Sequence, residues 1–112
     1  MKIVQKPQGD VMVLALSGKI MGGPDHQNFH AEVKSLIHEG HQDLLLDFAR
    51  VSYINSTGLG ILLGAYTSLK RAGGRMKICR VNDRVRSIFY VTELHNVFEV
   101  LPDQEKGLAA FG

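Results

Sequence analysis

Three short apolar runs, residues 11–16 (VMVLAL), 43–48 (DLLLDF) and 76–79 (MKIC), are separated by stretches whose apolar residues recur at helical spacing. This alternation constrains the chain most, because buried strands joined by helices form a parallel sheet with right-handed crossovers. Residues 11–16 sit between Gly9-Asp10 and Ser17-Gly18, as a buried strand does. Residues 2–5 read as a weaker strand paired with it through the turn Pro7-Gln8-Gly9-Asp10. Gly22-Gly23-Pro24-Asp25 then sets proline at a first helical position and a carboxylate in the first turn. Phe29, Val33, Leu36 and Ile37 make one helix face, which Gly40 ends. After the strand 43–48 comes a link containing Val51, Tyr53 and Ile54. A second helix begins near Ser56, buries Leu59, Leu62, Leu63, Tyr66 and Leu69, and stops at Gly73-Gly74. Asn82 caps a short helix with apolar positions Val85, Ile88 and Phe89. Residues 97–101 are a last strand, and Pro102-Asp103 opens a closing helix that docks through Leu108 and Phe111. The expected order is β-β-α-β-α-β-α-β-α, a single α/β domain over residues 1–112. Its sheet is mixed and mostly parallel, of four to five strands packed by about four helices, with the first hairpin at one edge.

A chain of 112 residues buries one modest core. Its longest apolar run, Leu44-Leu45-Leu46, is interrupted by Asp47, so membrane insertion is not expected. Met1-Lys2-Ile3-Val4-Gln5 turns polar at once and lacks the apolar stretch of a signal peptide. The single cysteine, Cys79, excludes an internal disulfide and fits a reducing compartment, so the expected location is the cytoplasm. The net charge of +2 is scattered, with no dense basic stripe or stacking aromatics, and no direct nucleic-acid partner is expected.

Residues 47–60 (DFARVSYINSTGLG) carry the functional information. A buried strand ends, the chain turns, and Asn55-Ser56-Thr57 fall where a helix begins. The first turn of a helix has unpaired N–H groups and a partial positive charge, so a phosphoryl group on a hydroxyl there would be held. Gly58 and Gly60 each cost on the order of 1 kcal/mol against alanine inside a helix, which suggests a close approach to the backbone. Gly60, Gly64, Thr67 and Arg71 share a sector away from the buried stripe, and Ile61, Ala65 and Ser68 take the remaining one. Glycines, small hydroxyls and an exposed Ile61 would make a flat face suited to a protein partner. A plainer reading stands beside this: Ser56 or Asn55 is a helix cap, and caps far outnumber phosphosites at such positions.

The strand-turn-helix segment resembles the signature of the STAS family. In that family an apolar strand ending in Asp leads to a hydrophobic pair, then Asp-Ser-[Ser/Thr]-Gly-Leu-Gly and an apolar helix. The matching residues are Leu44-Leu45-Leu46-Asp47, Tyr53-Ile54 and Asn55-Ser56-Thr57-Gly58-Leu59-Gly60. The resemblance continues through Gly73-Gly74 and through Leu94 with Val97-Phe98, and the chain is similar to the bacterial anti-sigma factor antagonists. It implies a non-enzymatic switch with Ser56 as phosphorylation site, and the helix start, over Asn55, Ser56, Thr57, Gly58, Gly60 and Ile61, is the expected partner-binding surface. The implied partners are an anti-sigma factor that is also a serine protein kinase, and a PPM-type phosphatase that resets the phosphorylated form. The unphosphorylated form binds the anti-sigma factor and frees the sigma factor. Two residues depart from the pattern. Asn55 replaces the usual Asp and cannot accept a proton in a transfer step. Gly18 is followed by Lys19-Ile20-Met21 instead of an acid.

No catalytic residue, cofactor or metal is expected. His26 and His30 are spaced i, i+4 but lack a third ligand. Cys79 reads as a packed small residue, and Arg84 as part of a helix start. Asp47 ends a central strand as in receiver domains, but Ser17-Gly18-Lys19 supplies no further acids for Mg²⁺. A second function stays open: a non-phosphorylated STAS scaffold subunit of a larger assembly, such as a lipid transporter or stress complex. The residues set no oligomeric state.

Overall fold

The computed structural model describes the backbone of residues 1–112 and every side chain except those of Asp25 and His26. The first-turn carboxylate expected at Asp25, and the His26 half of the histidine pair, lie outside the described residues. The strands are β1 (Lys2–Gln8), β2 (Val11–Ile20), β3 (Asp43–Ile54), β4 (Arg75–Cys79) and β5 (Val100–Leu101), and the helices α1 (Pro24–His38), α2 (Ser56–Arg71), α3 (Asp83–Val91) and α4 (Gln104–Ala109). The sheet runs in the order β1-β2-β3-β4-β5, antiparallel only between β1 and β2. This is the mixed, mostly parallel sheet with an edge hairpin that the apolar runs predict.

Alternation along the strands divides the core in two. Leu14, Leu16, Leu44, Leu46, Phe48 and Ile78 face α1, α2 and α3, joining Phe29, Val33, Leu36, Leu59, Leu62, Val85 and Phe89. Val11, Val13, Leu45 and Cys79 face the other way, where α4 and Phe111 cover them. Helix ends follow from local chemistry. Gly40, at φ +93°, lets the chain leave α1 while its N–H and that of His41 reach back to the carbonyls of Ile37 and Leu36. Asn82 caps α3 by accepting from the N–H of Val85 at 2.8 Å, and Asp103 caps α4 by accepting from that of Lys106 at 2.8 Å.

Four boundaries differ from the sequence reading. β1 runs on to Gln8, with Pro7 and Gln8 paired to Met12 and Val11, so the hairpin turn is Gly9-Asp10 alone. The link at residues 49–54 is the second half of β3, paired with β2 as far as Ile20 and Ile54. A register shift between Ala15 and Ser17 breaks the alternation there, which hides the strand in the sequence. β2 likewise runs on to Ile20. The last strand is only Val100–Leu101, because Leu94–Asn96 form a 3₁₀ turn behind Glu93, a left-handed residue at φ +63°. Phe98 is buried while Val97 is exposed, so the apolar run 97–101 owes its pattern partly to a packed loop.

Candidate functional site

β3 delivers the chain to the site. Ile54 is buried at its end, and extended Asn55 follows, its N–H donating to the carbonyl of Ile20 on β2 at 3.3 Å. Asn55 Oδ1 accepts from the N–H of Gly58 at 2.8 Å, so Asn55 is the N-cap of α2. Ser56 is the first helical residue, exposed, and its hydroxyl has no hydrogen-bond partner among the described residues. Of the two residues the plainer reading named as caps, Asn55 takes that role and leaves the Ser56 hydroxyl unengaged. The first turn of α2 holds no acidic side chain, so no carboxylate of the helix itself offsets the positive end of this 16-residue helix.

The glycines separate by environment. A Cβ on Gly58 would stand 2.1 Å from the Ile20 carbonyl oxygen and 2.8 Å from Ile54 Cγ1. The close approach expected there is real, but the approaching group is the chain's own β2. Gly60 and Gly64 are exposed, and a Cβ on either meets nothing within 4 Å. Thr57 is exposed at its edge but packs a methyl under the β2–α1 loop, where a Cβ on Gly22 would start 2.9 Å from Thr57 Cγ2.

Ile61 corrects the sequence reading: it is 3% exposed and belongs to the core, as does Ala65 at 1%. The helical wheel assumed a single stripe against the sheet. α2 also packs along α1, so its buried arc is wide enough to take Ile61 and Ala65. Gly58 is buried too. Of the six residues assigned to the partner surface, Ser56, Thr57 and Gly60 are exposed, Asn55 is half-buried, and Gly58 and Ile61 offer no side chain to solvent. Met21, 40% exposed, lies in the loop seated on Thr57. The sequence signal was an apolar pair, Ile20-Met21, entering a glycine turn, of which only Ile20 is buried.

Arg84 and Asp47 are engaged in contacts of their own. The Arg84 guanidinium lies 4.7 Å over the Tyr53 ring, and Asn82 Nδ2 donates to the Val51 carbonyl at 3.1 Å, tying the start of α3 to the end of β3. Asp47 is buried and accepts from Arg80 Nε at 3.0 Å, Arg80 Nη2, the Ala49 N–H at 3.0 Å and Gln104 Nε2 at 3.0 Å. Burial pushes its carboxyl up, but these donors and the charge of Arg80 outweigh burial and hold it below the usual carboxylate range. Arg80 adopts a left-handed backbone, φ +59°, a cost of roughly 1–2 kcal/mol that the two-pronged ion pair offsets. Asp47 is therefore a structural anchor with every oxygen occupied. Burial, followed by the charge of Asp47, pushes the Cys79 thiol up to about 12, which keeps it protonated. No helix among the described residues is long and apolar enough to cross a membrane.

Comparison with known proteins bears out the family resemblance. The chain is 26% identical over 102 residues to BtrV of Bordetella bronchiseptica, provisionally named an anti-sigma factor antagonist, covering 91% of this chain and 88% of that one. It is 32% identical over 66 residues to the anti-sigma-B factor antagonist of Bacillus subtilis, covering 59% of this chain and 61% of that one. Its fold matches that of the phosphorylated form of SpoIIAA, a Bacillus cell fate determinant, with a TM-score of 0.74 at 18% identity, covering 99% of this chain and 100% of that one. The STAS domain family model matches residues 2–107, nearly the whole fold including β3, the Asn55 cap and α2, and the chain belongs to the STAS domain family.

Proposed function

We propose that this protein is an anti-sigma factor antagonist, switched off by phosphorylation of Ser56. The observation that carries the reading is the exposed Ser56 hydroxyl on the first residue of α2, without a hydrogen-bond partner among the described residues, at a helix N-terminus whose first turn holds no acid. Unphosphorylated, the face formed by Ser56, Thr57, Gly60 and Met21 docks on an anti-sigma factor that is also a serine kinase, and the sigma factor is released. In the transfer, Ser56 Oγ attacks the γ-phosphorus of the kinase's ATP, the bond to the β-phosphate oxygen breaks, ADP leaves and the hydroxyl proton is lost. Asn55 Oδ1 already accepts from Gly58 and amide side chains are not bases, so the proton acceptor belongs to the kinase.

Phosphorylation adds about −1.5 to −2 charges at the centre of the docking face. The helix N-terminus accommodates an anion, so the domain keeps its fold and the switch acts through repulsion and desolvation at the interface. A PPM-type phosphatase resets it, and in this reading the protein works in the bacterial cytoplasm. Incubation with the cognate kinase and ATP should add one phosphate to the wild type and none to Ser56→Ala, read by intact mass. Phosphate appearing on Thr57 or Ser52 at the wild-type rate would overturn the assignment. A protein that no kinase of its host modifies, held stoichiometrically in a larger assembly, would instead be the scaffold subunit.

A further inference from the structure

A cavity of about 430 Å³ opens on the sheet face opposite α1–α3, beside the part that α4 covers. Its floor follows from the strand period. On β2, Val11 and Val13 are buried with Phe111, while the next residues on that side, Ala15 and Ser17, line the cavity. Small side chains leave the sheet low where no helix covers it. Lys2, Val4 and Lys6 of β1 stand opposite Ser17, Ala15 and Val13 in the hairpin register, and all three line the cavity. From β3 come Asp47, Ala49 and Arg50, and Arg80 follows the end of β4. The register shift matters here: Ala15 pairs with Asp47 but Ser17 with Arg50, so three steps of β3 oppose two of β2. This bulge sets Arg50 across from Ser17 on the cavity side.

The lining carries four cations, Lys2, Lys6, Arg50 and Arg80, against one carboxylate, Asp47, which Arg80 already engages. Lys2, Lys6 and Arg50 therefore meet no free acid in the cavity. A chain with a net charge of only +2 has concentrated positive charge at one concave place. Val4, 43% exposed on the floor, adds an apolar contact.

We propose that this cavity binds a small polyanion, a phosphate ester or a polycarboxylate. The volume lies in the lower part of the range of small-molecule sites, about 300–1,000 Å³. The guanidinium of Arg50 offers a fork for an oxyanion, and the two lysines supply point charges on either side of Val4. The ligand occupies the back of the sheet and leaves the Ser56 face open.

The test is an NMR titration of the ¹⁵N-labelled full chain with inorganic pyrophosphate and, separately, citrate, at constant ionic strength. Saturable shifts are expected at residues 2–6, 15–17 and 47–50, with a Kd on the order of 1 mM or tighter for at least one anion. The tighter of the two identifies phosphate or carboxylate chemistry. Arg50→Gln should weaken binding at least fivefold. Ala49→Met fills the floor without changing charge and should weaken it at least tenfold, while Lys34→Gln on α1 should leave it unchanged. Arg50 and Ala49 are exposed, so both variants are expected to fold, and the ¹⁵N spectrum itself reports this. Equal shifts around lysines elsewhere, wild-type affinity in both cavity variants, or tighter binding of an oligoglutamate peptide than of either small anion would each overturn the proposal.

Discussion

Asp47 is the buried charged side chain of the described core, and its four donors make its ionisation a stability term. Its carboxyl is lowered in the folded state, so the unfolded chain binds more protons between the two pKa values and stability rises with pH there. The contribution is complete above the unfolded value of about 3.9 and is lost as pH falls through the folded one. Asp47→Asn should therefore be less stable at neutral pH by roughly 1–3 kcal/mol, from lost charge-assisted bonds. It should also lose less further stability than the wild type as pH falls below about 4. Urea melts across that range check both, and parallel acid limbs in the two proteins would contradict the assignment. Gly58 offers a second test at this scale. Gly58→Ala forces a methyl against the Ile20 carbonyl and should cost about 1–3 kcal/mol, whatever alanine adds in helix propensity. Thermal unfolding measures it.

At the scale of the element, α2 divides its surface between packing and display. Leu59, Ile61, Leu62, Ala65 and Leu69 are buried, whereas Gly60 and Gly64 are exposed with open space above them. Gly60→Gln should thus fold with unchanged or raised stability, by up to about 1 kcal/mol. If the partner lies across the start of α2, the same variant should bind the anti-sigma factor at least tenfold more weakly, about 1.4 kcal/mol. Calorimetry and a binding isotherm on one sample decide it. A stable variant that binds normally moves the interface elsewhere. Asn55 contributes through its cap. An Asp there would keep the bond to the Gly58 N–H and add a negative charge at the helix start. Asn55→Asp should retain wild-type stability and, if that charge aids kinase recognition or transfer, be phosphorylated faster. Equal rates would show that the charge is immaterial here.

Across the whole molecule, the two faces of the sheet are unequally held. The larger core lies under three helices, and the smaller is closed by α4, six residues long, with Leu101, Leu108 and Phe111. Phe111 is held by the Arg75 guanidinium, 5.3 Å from its ring, and by Arg75 Nη2 donating to its carbonyl at 2.9 Å. α4 should therefore open independently of the rest. Phe111→Ala should speed hydrogen exchange at the amides of residues 106–111 at least tenfold, while Leu44–Leu46 in β3 exchange only through global unfolding. Uniform acceleration through β3 would show instead that the two cores melt as one unit.

What the sequence determined by itself was local in cause. Apolar runs placed the buried strands, Gly40 and Asn82 ended and began helices, and Asn55-Ser56-Thr57 marked the start of α2. Each depends on spacing within a few residues, which a sequence displays. Tertiary structure decided what depends on distant neighbours. Packing of α2 along α1 buried Ile61, and the carbonyl of Ile20, 38 positions before Gly58, required a glycine there. The bulge in β3 concealed half a strand and set Arg50 beside Ser17, and Arg80 and Gln104 met Asp47 only once β3, β4 and α4 lay together. Burial and pairing are properties of surfaces brought into contact, so they become visible only when the sheet is assembled.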